Sequence, residues 1–534
     1  MITAHIDDLD ARDLVGDVRV TVESGPRLQN ASAIGWDEAL GRLAPLFQQP
    51  LLDKQCRDWW APLKIDLAAL SMAYGHAESW RDSLITEGVD RVVVATRLPS
   101  LWRAALAPLP VTIDHPRTAT RMLTAMRSAQ AGELLKLVGV DGGIRRIATP
   151  LATLPRRARV QRNCDWMLVG EIPTPSMLGS LLLLPADRST VVACDPRVAV
   201  IAARQGHHVS ALWPPGRQRN PGSTKGIVER ARRLVATAEL GGLEASVERL
   251  VRRSLPGHIR ALEAFRHKLS DLQPQFVVMA SDQHKYGVLS VWAAEDAGIS
   301  TMVIQHGLPV HPIGYLPVRA TIVACMGSSS RSWFQDRGTP PARLSVTGSP
   351  RMPTLEAFRI PPGPVSRLLV ALNPGKHLYQ RQMLDACVHL ASVMPELTIT
   401  IRPHPGDRRL DGCPEGEALS LLGIPVPASQ FRVDGTAQLS GQLATNEVLM
   451  VHDSTVGVEA LLAGTPVVVF SPQRGVFEDV GLPHVWGGEE LHTLMMDSSA
   501  WLPSDLGRAR ESLVAAGGSD AVARVVDVIR QTSP

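Results

Sequence analysis

The chain is poor in lysine, in aromatic side chains and in paired cysteines. Only 7 of its 55 basic residues are lysine, and aromatics make up 4% of 534 residues. With so few rings, the interior has to be built mainly from Leu, Val, Ile and Ala. Charge of one sign is also lacking: 55 basic against 52 acidic residues give +3. So balanced a chain carries no electrostatic footprint of a nucleic-acid binder. Cys56, Cys164, Cys194, Cys325, Cys387 and Cys413 include no CxxC pair. That argues against a zinc ribbon or a dithiol redox motif. Cys164, Cys194 and Cys325 lie in or beside apolar runs and are expected to be buried free thiols of a reducing compartment.

Other absences narrow the chemistry. The acidic first residues, Met1–Asp13, have no apolar h-region, so no signal peptide is expected. The longest apolar run, Met177–Leu184 between Pro175 and Pro185, is far below the roughly 20 residues of a membrane span and reads as a buried helix. A cytoplasmic protein is expected. The short stretch Arg156-Arg157-Ala158-Arg159 reads as a solvated loop or membrane-proximal patch of no specificity rather than a defined binding site, and peripheral membrane association stays open. Asp8-Leu9-Asp10 is the only DxD and sits away from any strand end, and no His/Cys cluster has metal spacing. Hence no metal and no cofactor are expected. GxGxxG after a strand, GxSxG and the Walker A loop are absent too.

What is present is a repeated alternation of short β-branched runs and amphipathic stretches. Strands are expected at Arg91–Ala95, Trp166–Val169, Thr190–Cys194, Phe276–Ala280, Thr301–Ile304 and Thr321–Cys325. Others follow at Arg367–Leu372, Leu397–Ile401, Val448–Val451 and Pro466–Phe470. Near-continuous apolar runs of this length suit strands covered on both faces, and helices between them imply βαβ units and an α/β fold of parallel sheets. Val18–Val22 alternates like a strand; Trp36–Gln48, Asp53–Ala73, residues 223–272 and Asp520–Gln531 read as helices. The prolines of Arg359–Pro364 mark a break. The organisation expected is an N-terminal extension over 1–80, a first lobe over 81–355, a second over 365–515 and a terminal helix over 516–534, with a hinge at 355–365.

The strongest candidate site is Val451–Val468, a strand, a loop of small polar residues, a helix, Gly464 and another strand. Ser454 or Asp453 would cap the helix, whose first amides can bind phosphate. Glu459, one turn in, could take both hydroxyls of a ribose. The alternative is a plain cap and an exposed glutamate. Arg402-Pro403-His404-Pro405 follows another strand and can meet an anion at the carboxyl ends of the sheet. Asn373-Pro374-Gly375-Lys376 offers Lys376 as a point charge for phosphate, or is an ordinary turn. In the first lobe, Ser281-Asp282-Gln283-His284 and Gln305-His306-Gly307 end neighbouring strands. They present Asp282, His284 and His306 as general-base candidates. His311 and Tyr315 follow in a Pro-rich loop, and Gly348-Ser349-Pro350-Arg351 is either a turn facing the site or a linker.

Gln305-His306-Gly307, Gly348-Ser349-Pro350, Arg402-Pro403-His404-Pro405 and His452-Asp453-Ser454-Thr455 through Pro466, in this order, resemble bacterial GT-B glycosyltransferases of surface polysaccharides. The nearest groups are the capsule-biosynthesis, polysialyltransferase and CDP-glycerol glycerophosphotransferase-like enzymes. The resemblance spans about residues 275–470. It implies two Rossmann-like lobes facing a cleft, with a nucleotide-activated sugar donor held by the second. His404 would contact the donor's phosphate or nucleotide, Ser454 and Thr455 phosphate, and Glu459 ribose. The acceptor would be a glycan or lipid-linked hydroxyl, the donor CMP- or CDP-linked, and no metal would be needed. A non-hydrolysing UDP-sugar 2-epimerase-like enzyme and a non-catalytic nucleotide-sugar-binding scaffold are the alternative readings.

Overall fold

The computed structural model describes residues 3–6, 20–22, 36–86, 91–94, 105, 111–112, 164–212, 221–309, 311–353, 356–373, 377–404, 410, 413–425, 429–452, 454–471, 477, 480–497, 501 and 503–532. The fold is α/β. The chain forms two compact units, one of residues 1–164, 190–273 and 283–297, the other of 165–189, 274–282 and 298–534.

In the first unit a small sheet takes β1 (Thr3–Ile6), β2 (Val20–Val22), β3 (Arg91–Val94) and β4 (Val111–Thr112), in the order β2-β1-β3-β4. Its helices include α1 (Trp36–Phe47), α2 (Lys64–Thr86), α3 (Glu244–Leu272) and α4 (Lys285–Asp296). The helix expected over Asp53–Ala73 begins only at Lys64. The Asp53 carboxylate accepts from the amides of Gln55 and Arg57, closing a turn where a helix would need those groups. In α3 the buried residues Val247, Val251, Leu255, Ile259, Leu262, Phe265 and Leu269 recur every three or four positions, which keeps one face of a long charged helix in the core. Trp59 meets Trp292 of α4 edge-on at 5.2 Å, and Arg57 pairs with Asp296 on the same helix.

A seven-stranded sheet comprises β5 (Trp166–Gly170), β6 (Ser189–Ala193), β7 (His208–Ala211), β8 (Phe276–Met279), β9 (Ser300–Ile304), β10 (Ile322–Cys325) and β11 (Leu344–Val346), ordered β11-β10-β9-β8-β5-β6-β7. A six-stranded sheet comprises β12 (Arg367–Ala371), β13 (Thr398–Arg402), β14 (Phe431–Val433), β15 (Val448–Val451), β16 (Val467–Phe470) and β17 (His484–Val485), ordered β14-β13-β12-β15-β16-β17. All its recorded pairings are parallel. The run Met177–Leu184 is not one helix. A short helix, Pro175–Leu178, is followed by a 3-10 turn at Leu181–Leu183.

The six-stranded sheet is covered on both faces. Leu368, Val370, Val448, Met450, Val468 and Phe470 enter one apolar cluster, and their neighbours Leu369, Ala371, Leu449, Val451, Val467 and Val469 enter another. Alternate side chains thus leave by opposite faces, and both faces need apolar residues. The second cluster also takes Val458, Ala460, Leu461 and Leu462 from α5 (Thr455–Leu462).

Residues 356–359, at the start of the segment expected to be the hinge, are bonded to the end of α5 and the connection that follows it. Glu356 N donates to Leu462 O and Arg359 N to Gly464 O, both at 2.8 Å. The Arg359 guanidinium adds bonds to Leu443 O, Ala463 O and Thr465 Oγ1. Gly464, at φ +70°, permits the contact, since a Cβ there would lie 2.0 Å from Ala357 O. Just upstream, the 348–353 turn is clamped to the start of α6 (Gly518–Thr532): Ser349 N donates to Ala516 O and Gly518 N to Met352 O, each at 2.9 Å. No helix among the described residues is long and apolar enough to cross a membrane.

Candidate functional site

Because the strands of the six-stranded sheet are parallel, the ends of β12, β13 and β15 lie on one edge. Ala371 is in register with both Arg402 and Val451. Loops at such an edge are where open α/β sheets bind ligands. After β15, Ser454 is the N-cap of α5, in extended conformation, and its Oγ accepts from Val456 N at 3.4 Å. Asp453, the other capping candidate, lies outside the described residues, as does Lys376. The bond is near the long limit for N–H···O, so the cap is a weak one. Gly457 lets α5 approach its strand; a Cβ there would meet the Phe477 ring at 3.1 Å and Val451 Cγ2 at 3.3 Å.

Glu459 is half-buried, and its Oε1 accepts from Arg351 Nη1 at 3.0 Å. This pairing is not legible in the sequence, which offers Glu459 as a ribose ligand or an exposed helical residue and Arg351 as part of a turn or a linker. The only signal for it was Gly348. Its φ is +85°, and a Cβ there would lie 2.2 Å from Ala516 O, so the turn that carries Arg351 closes only with glycine.

Arg402 is occupied by its own lobe. Its Nη1 donates to Ala437 O at 2.8 Å and to Gln442 Oε1 at 2.6 Å. These bonds brace a turn in which Asp434 accepts from the amides of Thr436 and Ala437. The Ala437 amide above all holds the Asp434 carboxyl below the usual carboxylate range. His404, two residues on, is exposed. His452 is buried, with Nδ1 2.7 Å from Phe470 O and its ring 4.9 Å from that of Tyr379.

At the ends of β8 and β9 the polar groups are held by backbone. The buried Asp282 carboxylate accepts from Arg319 N at 2.6 Å and Ala320 N at 2.9 Å. Gln305, also buried, donates to Gly307 O and Ser330 Oγ and accepts from Met326 N, fixing the turn that carries His306. His306 Nδ1 lies 2.9 Å from Ala280 O. A carbonyl only accepts, so Nδ1 carries a proton, and in the neutral ring Nε2 is the acceptor. Tyr315 stacks on His306 at 5.2 Å and 5°, and its hydroxyl donates to Leu308 O at 3.0 Å. Burial pushes the Tyr315 phenol well above its ordinary range, opposed by the nearby Arg351 charge. His284 is the N-cap residue of α4, in the other compact unit from Asp282 and His306. Burial first, then the Lys285 charge, lowers its pKa.

The two groups meet at Gly307. A Cβ built there would lie 3.4 Å from both Thr455 Cγ2 and the Tyr315 hydroxyl. The structure therefore brings together His306, Tyr315, Thr455 and, through the Arg351 turn, Glu459. Among the described residues, no group of three His, Cys, Asp or Glu side chains is placed to hold a metal ion.

No family model and no curated protein matches the chain. Among solved structures it is similar to the glycosyltransferase SnogD from Streptomyces nogalater, at 16% identity over 69% of this chain and 100% of that one, TM-score 0.40. It is similar to HepE of Anabaena in complex with UDP and glucose, at 13% over 69% and 100%, TM-score 0.42. It is also similar to UDP-GlcNAc 2-epimerase from Neisseria meningitidis bound to UDP-GlcNAc, at 12% over 69% and 100%, TM-score 0.40.

Proposed function

We propose that the protein is a GT-B glycosyltransferase that moves a sugar, or a polyol phosphate, from a nucleotide-activated donor to a hydroxyl of a surface-glycan or lipid-linked acceptor. The observation that carries the reading is the meeting at Gly307. The turn that carries the His306 imidazole, braced by Gln305, brings Gly307 beside Thr455 at the helix N-terminus that begins at Ser454. One strand end supplies a base, the other an anion site, and both are needed at one place for transfer from a nucleoside phosphate.

In this reading the acceptor hydroxyl gives its proton to His306 Nε2 as its oxygen attacks the donor. Negative charge grows on the departing nucleoside phosphate oxygen. The amides around Ser454 and Thr455, with His404 and Lys376, stabilise it in place of a metal ion. Glu459 takes the ribose hydroxyls. Asp282 shapes the loop over residues 319–320, and Arg402 braces the turn beside His404, so both act by position. His284 is left outside this cluster.

The test is a thermal-shift screen of CMP, CDP, UDP, GDP and dTDP, since a ligand that binds only the folded state raises its melting temperature. The sugar conjugate of the stabilising nucleotide is then incubated with and without a hydroxyl acceptor. Consumption only with acceptor supports transfer. Conversion of the sugar without acceptor points to the epimerase-like alternative, and binding without turnover to a scaffold. No stabilisation by any nucleotide overturns the reading.

A further inference from the structure

Arg351 belongs to none of the strand-end motifs of the proposed donor site, yet the turn that carries it is held by several close backbone contacts. Its turn is held by Gly348 against Ala516 and by Gly517, where a Cβ would lie 2.2 Å from Pro353 O. Ser349 bridges in parallel to Gly517, and Met352 N donates to Ser349 O at 3.1 Å. On its other side Arg351 meets the end of the short helix Pro175–Leu178; a Cβ at Gly179 would lie 3.6 Å from Arg351 Cβ. A turn fixed from two directions aims one long side chain at Glu459.

The guanidinium is under-used there. Nη1 bonds Glu459, while Nε is buried and has no hydrogen-bond partner among the described residues. A guanidinium has five N–H donors in a rigid fork suited to phosphate. Charge gives the complementary reason. A bare Glu459 carboxylate in the first turns of α5 would repel the phosphates that the helix N-terminus attracts. Arg351 cancels that charge, and the donors it keeps for a ligand are those of its terminal nitrogens, since Nε is buried.

Resting on the donor-site reading above, we propose that Arg351 is the phosphate ligand of this site, with Glu459 shared between its guanidinium and the ribose. The pair would set two separate preferences: Arg351 that for nucleoside phosphates over nucleosides, Glu459 that for ribose over deoxyribose.

The experiment is a calorimetric ladder of cytidine, CMP, CDP and 2′-deoxy-CDP, repeated with the uridine series, on the full chain. In Arg351→Gln the gain in affinity from nucleoside to diphosphate is expected to shrink about ten- to a hundredfold, with nucleoside affinity unchanged. In Glu459→Gln the ribose preference is expected to disappear while the phosphate gain stays or rises, since the carboxylate that offsets the Arg351 charge is gone. Arg351→Lys keeps the charge without the fork and is expected to lie between wild type and Arg351→Gln. It carries the test if Arg351→Gln does not fold. If Arg351 only orients Glu459, its variants lose the ribose preference and keep the phosphate gain, which overturns the proposal and leaves the nucleotide reading intact. An unchanged ladder in both Arg351 variants does the same. If wild type binds no member of either series, the nucleotide reading falls first, and this proposal with it.

Discussion

The carboxyl edges of the two large sheets are both polar and both tie polar groups to the main chain, Arg402 to Ala437 O and His452 to Phe470 O at the second edge, but they differ in how their other polar side chains are held. At the ends of β8 and β9, Asp282 and Gln305 are buried and bonded to main-chain groups, and His306 Nδ1 is bonded to a carbonyl. At the ends of β13 and β15, His404 is exposed, Ser454 holds an amide at 3.4 Å, and the recorded partner of Glu459 is another side chain. A side chain bonded to buried backbone cannot leave without orphaning an amide or carbonyl. A side-chain pair or a long cap can exchange its partner for a ligand. The first edge is held in shape by its polar groups; in the proposed function the second leaves His404, Ser454 and Glu459 for a ligand. Substitutions should therefore read out as stability at the first edge and as affinity at the second.

The largest expected effect tests the first half of that contrast. Asp282→Ala removes the acceptor of two main-chain amides and should destabilise the fold by roughly 2–6 kcal/mol, read by urea denaturation. Asp282→Asn retains one acceptor oxygen and should lose less. If Asp282→Asn instead leaves stability intact and abolishes turnover, Asp282 is the base, and the contrast breaks. His306 is where shape and chemistry meet. His306→Ala should lower turnover about 10²–10⁴-fold while leaving nucleotide affinity near wild type. A loss of affinity equal to the loss of turnover would move His306 to the donor side.

Any pH profile of that turnover must be separated from an effect on folding that arises in the first compact unit. His258, buried in α3, has its pKa lowered to about 4 by burial first and then by the Lys285 charge. Between that value and an ordinary 6.5 the unfolded chain binds a proton that the folded chain does not. Stability should thus be complete above about pH 6.5 and fall by about 3 kcal/mol as pH drops towards 4. Urea titrations at several pH values read this slope, and His258→Gln should flatten it. An unchanged slope in that variant would place the titrating group elsewhere, and the low-pH limb of turnover could then be read for the site alone.

How much of this was legible in the sequence follows from where each residue is buried. Phe276–Met279, Val448–Val451 and Val467–Phe470 are central strands, covered on both faces, and they appear as unbroken apolar runs. His208–Ala211, Leu344–Val346, Phe431–Val433 and His484–Val485 are the edges of the two large sheets, and none of these four was anticipated. One side of an edge strand faces no neighbour, so Arg432 and His484 are tolerated there and the apolar signal is lost. The site divides in the same way. Ser454 and Glu459 stand at a spacing set by a single helix. Arg351 reaches Glu459 only because residues 516–518 clamp its turn, a contact between distant segments that no local pattern encodes.

The smallest effect expected on folding is at Ser454, and it tests the second half of the contrast. Its Oγ accepts from Val456 N at 3.4 Å, so Ser454→Ala forfeits a weak cap. Removing an N-cap costs about 0.5–2 kcal/mol, and a bond this long belongs at the low end. The α5 helix does not depend on it, since Val458, Ala460, Leu461 and Leu462 anchor it in the core. Nucleotide affinity should respond more strongly. A hydroxyl that donates to phosphate contributes a charge-assisted bond, whose loss is about tenfold in affinity. Calorimetry with the nucleotide that best stabilises the wild type, set beside thermal melts of the same protein, reads both numbers. Affinity should fall tenfold while the melting temperature moves little, the reverse of Asp282→Ala. If Ser454→Ala instead lowers stability as much as Asp282→Ala does and leaves affinity alone, Ser454 is a cap and nothing more. The receptive edge would then have to be sought at His404 and Arg351.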